Sequence, residues 1–192
     1  MKKTLTETDY QKAAIELGCE VAAIKAVAEV ESAGGGFLSS GEPKILFERH
    51  WMHRLMRTKG MTPPTNQPDI VSTKSGGYIG GQSEHVRLQR AVLIDRESAI
   101  MSCSWGKFQI MGFHWEGLGY KTLQSFVNAM YRDEAHHLDA FVRFIKADNR
   151  LLKAIRSKDW KSFAHAYNGP AYHKNQYDVK MNNAYIRFSK AR

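Results

Sequence analysis

Glu31 is placed where an ordinary surface acid would not be. It falls seven residues after Ile24, four after Val27 and three after Ala28. A repeat of about 3.6 residues puts these on one helical stripe with Val21, so Glu31 is predicted to share the buried face. Glu29 differs: it lies four residues beyond Lys25 and is expected to pair with it on the exposed side. A carboxyl on an apolar stripe, at a helix C-terminus where the peptide dipole disfavours an anion, is driven toward its neutral form. An acid kept protonated near neutrality can protonate a leaving oxygen, which is what glycoside cleavage requires. The glycines in the following run, Ser32-Ala33-Gly34-Gly35-Gly36-Phe37, permit close backbone approach to a ligand. The plainer alternative is a terminal Glu that reaches solvent or pairs with an arginine.

Glycosidases that retain or invert configuration both use a second carboxyl. Glu48 is the first candidate, in Leu46-Phe47-Glu48-Arg49-His50. Phe47 and the Trp51–Leu55 stripe imply a semi-buried position, and the adjacent arginine would favour the ionised form, suited to a base or to stabilising an oxocarbenium ion. Its alternative is a structural ion pair. Glu42 and Asp95 are weaker candidates. If no second carboxyl takes part, a hydroxyl of the sugar itself can attack, with one Glu as acid and base. Among Trp51, Trp105, Trp115 and Trp160, Trp105 is best placed to stack on a sugar, and the others read as core. The histidines do not form a metal pattern: His136 and His137 lie beside Asp133 and Glu134, but neither HExxH nor paired-cysteine spacing accompanies them. No metal or other cofactor is expected.

The elements that must position these residues are mostly helical. Helices are predicted over about 7–17, with Thr6 as N-cap and Gly18 as stop, and over 20–31 and 47–58. Others are expected at 83–95, toward Ser102, and at 122–131, 133–146, 149–157, 160–167 and 174–190, with Asp133, Asp148 and Asp159 at N-cap positions. Between Gly60 and Gln82 lies a long irregular stretch with three of the five prolines. A loop of that length is usually a lid or groove wall. Ile70–Tyr78 could hold a short hairpin. The expected fold is mostly α, one domain over residues 1–192, with a long loop or small β patch beside a groove.

The chain has 192 residues, 43% of them hydrophobic, and a formal charge of +9. This is globular composition, large enough for a real core. No apolar run approaches the roughly 20 residues of a spanning helix, and MKKTLTETDYQ lacks the apolar stretch of a secretory signal. Cys19 and Cys103 read as free thiols of a reducing compartment. The basic excess points to an anionic partner, either nucleic acid or a cell envelope. It is densest between Arg143 and Lys161, with seven basic and two acidic residues, and from Lys180 to Arg192. Spacing mostly assigns these to solvated helix faces. The helix Val179–Arg192, with Met181, Tyr185 and Phe188 on one face, either closes the core or disturbs an anionic membrane.

Five blocks, in order, resemble the N-acetylmuramidase family of phage endolysins, within the lysozyme-like group that includes goose-type lysozymes and lytic transglycosylases. They are AEVESAGGGF, PKILFERH at Pro43–His50, SWGKFQIMG at Ser104–Gly112, AYNGPAY at Ala166–Tyr172 and YDVKMNNAY at Tyr177–Tyr185. The resemblance implies that Glu31 is the catalytic acid and that Gln109 lines the sugar groove, with Ser104 and Trp105 of its block as further substrate contacts. Tyr167 and Asn168 would pack near and orient the acid. It implies a lysozyme-like catalytic domain hydrolysing the β-1,4 bond between N-acetylmuramic acid and N-acetylglucosamine; the family often carries a separate peptidoglycan-binding module, for which this chain is expected to have no room because its first helix belongs to the catalytic domain. A monomer is expected, made in the host cytoplasm and reaching the periplasmic wall through a holin pore, with basic helices touching the anionic envelope. The alternatives are a transglycosylase giving 1,6-anhydro products and, more distantly, a basic nucleic-acid-binding protein that would be indifferent to Glu31→Gln and bind in a salt-dependent way.

Overall fold

The computed structural model describes residues 4–32 and 34–191. Met1–Lys3, Ala33 of the glycine-rich run and Arg192 of the basic segment lie outside the described residues. The chain forms two compact units: one holds the chain up to Gly35 and from Glu134 on, the other Gly36–Asp133.

The first unit is helical. It contains α1 (Glu7–Leu17), α2 (Val21–Glu31), α7 (Glu134–Ala147), α8 (Asn149–Ser157), α9 (Trp160–Asn168) and α10 (Tyr177–Lys190), with a 3₁₀ segment, Pro170–Asn175, before α10. Thr6 accepts from Asp9 N in a reciprocal capping box, and Gly18 ends α1 in the left-handed region at φ 64°. Asp148 and Asp159 cap α8 and α9 by accepting from Arg150 N and Ser162 N. Helix α2 is the unit's core: Ala23, Ile24, Ala26, Val27 and Ala28 are buried. Helix α10 packs along it through buried Met181 and Ala184, closing the core. Glu29 is not paired with Lys25: it accepts from Arg187 of α10, and Lys25 reaches Glu7 of α1. Packing brings better-placed partners than the same-helix neighbour.

The second unit holds α3 (Arg49–Thr58), α4 (Gln82–Val92), α5 (Arg96–Met101), α6 (Leu123–Arg132) and a small antiparallel sheet. Its strands are β1 (Ile45–Phe47), β2 (Cys103–Trp105) and β3 (Ile110–Met111), in the order β1-β2-β3. Ile45 pairs with Trp105 and Phe47 with Cys103. The β patch is therefore real but is not the hairpin expected at Ile70–Tyr78, which is bends and irregular backbone after a turn at Ile70. Phe47, expected at the start of a helix, ends β1, and α3 begins at Arg49. Cys19 and Cys103 are free thiols.

Candidate active site

Glu31 is the last residue of α2, and its side chain is half-buried. Ser32 stops the helix: its backbone N and its Oγ both donate to Ala28 O, at 3.1 and 2.5 Å. The acid's partner comes from the far end of the sequence. Helix α9 buries Trp160, Phe163 and Ala164, and Tyr167 continues that stripe. The Tyr167 ring stacks on Phe163 at 5.9 Å and meets Phe141 and Phe144 edge-on at 5.6 and 5.7 Å. With Tyr167 wedged among three phenylalanines, the next residue is fixed in direction. Asn168 Nδ2 donates to Glu31 Oε1 at 2.9 Å, and Gly169 leaves the helix at φ 78°. Burial pushes the Glu31 carboxyl up to about 7, against the amide donation, which lowers it. Burial and the proximity of Glu31 also hold the Tyr167 phenol well above its ordinary range. Glu31, Tyr167 and Asn168 thus form one cluster within the helical unit.

Glu48 lies in the other unit, between β1 and α3. Its side chain is 15% exposed. Its partner is not the adjacent arginine: Tyr78 Oη donates to it, 2.7 Å from both carboxyl oxygens. His50 Nδ1 is 3.2 Å from Oε2 without hydrogen-bond geometry. Arg49 instead donates to the carbonyls of Pro68, Lys74 and Ser75. At the first helical position its side chain points toward the 60–82 loop, and sequence adjacency carries no guarantee of contact.

Ser104 and Gln109 are brought together. Ser104 Oγ donates to Gln109 Oε1 at 2.6 Å, and Gln109 Nε2 donates to Gly106 O at 2.9 Å. Gln109 adopts φ 50°, so its amide clamps the turn from β2 to β3 in an uncommon conformation. Trp105 does not fit the substrate-stacking expectation. It is 2% exposed, its Nε1 donates to Ile100 O at 3.2 Å, and its ring meets Phe126 edge-on. All three residues of β2 are buried, and the Trp105 ring is packed into the core.

Glu84 was not signalled as special, yet it organises this unit. It is fully buried and accepts from Phe47 N at 2.9 Å, Ile79 N at 2.7 Å, Gly80 N at 3.0 Å and Arg87 Nη1 at 2.8 Å. Burial raises its carboxyl, but these backbone donors and Arg87 outweigh it and leave it below the usual range. Arg87 also donates to Phe47 O and Asp69 O. The long loop is thereby tied at Asp69, Ile79 and Gly80 rather than left loose. A signal was present: Glu84, Arg87, Leu88 and Ala91 have the i, i+3, i+4, i+7 spacing of one stripe. Among the described residues no group of three or more His, Cys, Asp or Glu side chains is placed to hold a metal ion.

A helical unit that presents a half-buried Glu holding its proton to about neutrality carries the kind of acid a glycoside hydrolase needs. Residues 20–189 match the N-acetylmuramidase family, and the chain belongs to that family, whose enzymes hydrolyse peptidoglycan. The crystal structure of Burkholderia AP3 phage endolysin is similar to it, with a TM-score of 0.95 and 48% identity, over 98% of this chain and 73% of that one. No curated protein sequence matches it. Among the described residues no helix is long and apolar enough to cross a membrane.

Proposed function

We propose that Glu31 is the general acid of this muramidase, protonating the glycosidic oxygen that links N-acetylmuramic acid to N-acetylglucosamine. The observation that carries this is the half-buried carboxyl at about 7, bound by Asn168. Because Oε1 accepts from Asn168, the acid's proton belongs on Oε2, which is left to meet the leaving oxygen. Asn168 and Tyr167 are positioning residues. Glu48 is the base or charge stabiliser, with Tyr78 holding its two oxygens. Ser104 and Gln109 act by fixing the shape of the β2–β3 turn, and Trp105 acts only as core.

The likeness to a phage endolysin supports a role in lysing a bacterial host. On this reading the whole chain is a single catalytic domain and a monomer. It is made in the host cytoplasm and reaches the wall after holin-dependent release. The basic helices touch the anionic envelope on this reading, which follows the muramidase family and not a nucleic-acid binder. Between Arg143 and Lys161, Arg143, Lys146, Arg150 and Lys158 are each paired with a carboxylate, from Asp139, Glu16, Asp148 and Glu20. These pairs lower the charge that any anionic partner would meet on this face.

The test combines wall lysis with mass spectrometry of the released sugars. Fragments ending in reducing N-acetylmuramic acid are expected, and Glu31→Gln should abolish their release while helical circular dichroism is unchanged. Fragments lighter by one water, with a 1,6-anhydro ring, would replace water by the sugar's own hydroxyl and make Glu48 structural. Full activity of Glu31→Gln would refute the acid assignment.

A further inference from the structure

The helical unit has a concavity of about 370 Å³, lined by Arg150 of α8, by Lys161, Ser162, His165 and Ala166 of α9, and by Tyr172 of the 3₁₀ segment. No carboxylate lines it. Asp148 engages the Arg150 guanidinium from the side through Nε and Nη2. Asp159 lies near Lys161 but is occupied in capping α9 at Ser162. The lining therefore offers two cations, an imidazole and a hydroxyl, beside an aromatic ring: the His165 and Tyr172 rings meet edge-on at 6.1 Å. Such a surface suits an anion carried on a short peptide rather than a neutral sugar.

Its place along α9 matters as much as its chemistry. Lys161, His165 and Asn168 have the i, i+4, i+7 spacing of one helical stripe. The rise of about 1.5 Å per residue puts Asn168, the partner of Glu31, about one turn beyond His165. In peptidoglycan the muramic acid carries a lactyl-linked peptide whose nearest free carboxylate, on the second residue, hangs from the same sugar on a flexible tether two residues long. We propose that this pocket receives a carboxylate of that stem peptide while the glycan lies at Glu31. The proposal rests on the muramidase reading and adds to it a preference for peptide-substituted strands. Arg150 and Lys161 supply the charge, and the His165–Tyr172 pair supplies a wall for the peptide body.

The experiment follows backbone amide NMR shifts of the full chain titrated with N-acetylated L-alanyl-γ-D-glutamyl-L-lysyl-D-alanine. The same peptide with its carboxylates amidated, and inorganic phosphate, serve as comparators. The expected result is perturbation centred on Lys161–Ala166 and Tyr172 with the free acid. The amidated peptide and the exposed variant Lys161→Glu, folded by the same spectrum, should bind more weakly by about two- to fivefold, the scale of one exposed ion pair. No perturbation there, or equal binding of the amidated peptide or of phosphate, would overturn the pocket. Digestion of purified peptidoglycan by the same preparation separates the two readings. Active enzyme without peptide binding removes only the pocket, and peptide binding without any glycan cleavage removes the muramidase reading and leaves the pocket standing.

Discussion

Asn168 Nδ2 and Glu31 Oε1 are 2.9 Å apart, joined across 137 residues of chain. The bond favours the ionised carboxylate, burial favours the neutral acid, and burial prevails. The acid is thus oriented by a contact that also works against its protonation, so its proton affinity is a balance that one substitution can tip.

Replacing Asn168 by Ala removes the opposing effect. Activity in the parent should fall as pH rises through about 7, where Glu31 loses its proton. In Asn168→Ala that alkaline limb should move to higher pH, while the plateau drops about ten- to a hundredfold because the carboxyl is no longer held in place. The pH dependence of kcat/KM measures both effects. A lower plateau with an unmoved limb would show that Asn168 orients Glu31 without tuning it.

The raised pKa of Glu31 is also a statement about stability. The folded chain keeps the Glu31 proton where the unfolded chain, at the ordinary value of 4.5, has lost it. Folding stability from this group therefore falls as pH rises from about 4.5 to 7, by up to about 3 kcal/mol. Glu31→Gln should accordingly melt higher than the parent at pH 8 and at the same temperature at pH 4. Equal melting temperatures at both would mean the carboxyl is as well solvated in the fold as out of it.

Glu31 was legible because α2 is a clean apolar helix, and an acid at the wrong angle stands out against Ile24, Val27 and Ala28. The caps at Thr6, Asp148 and Asp159 were legible because capping is local. The strands were not: β1 and β2 have three residues and β3 has two, too short to show a period of two, and their pairing is set by the surrounding packing. The partners of Glu48, Arg49 and Glu29 were misjudged for one reason. Each takes a partner distant in sequence, and spacing reports only neighbours. Asn168 reached the site through family resemblance, since nothing in its own helix marks it as facing a carboxyl.

Glu84 should be the costliest acid to remove. Glu84→Ala leaves Arg87 buried and uncompensated and frees the 60–82 loop at Ile79 and Gly80, so a loss of about 3–5 kcal/mol is expected by chemical denaturation. Because its carboxyl lies below the ordinary 4.5, its contribution is present above that pH and is lost as pH falls through the folded value. The acid-induced unfolding of the parent should therefore be steeper than that of Glu84→Gln.

Trp105 separates core from substrate contact. Trp105→Phe should cost about 1–3 kcal/mol of stability through lost packing and the lost bond to Ile100 O, with KM on peptidoglycan unchanged below the melting transition. A raised KM in a variant of undiminished stability would return Trp105 to the substrate.

The helical unit is assembled from chain before Gly35 and after Glu134, with the Gly36–Asp133 unit inserted in the middle. During synthesis the inserted unit is finished first, while α2 waits for α7, α9 and α10 to be made. Until then Glu31 has neither the surroundings that raise its proton affinity nor the amide that aims it, and it is a plain hydrated carboxylate. If Glu31 is the acid, ribosome-bound or prematurely terminated chains have no oriented, protonated carboxyl to offer the glycan, and competence begins only when translation has passed Asn168 and α10 has closed over α2.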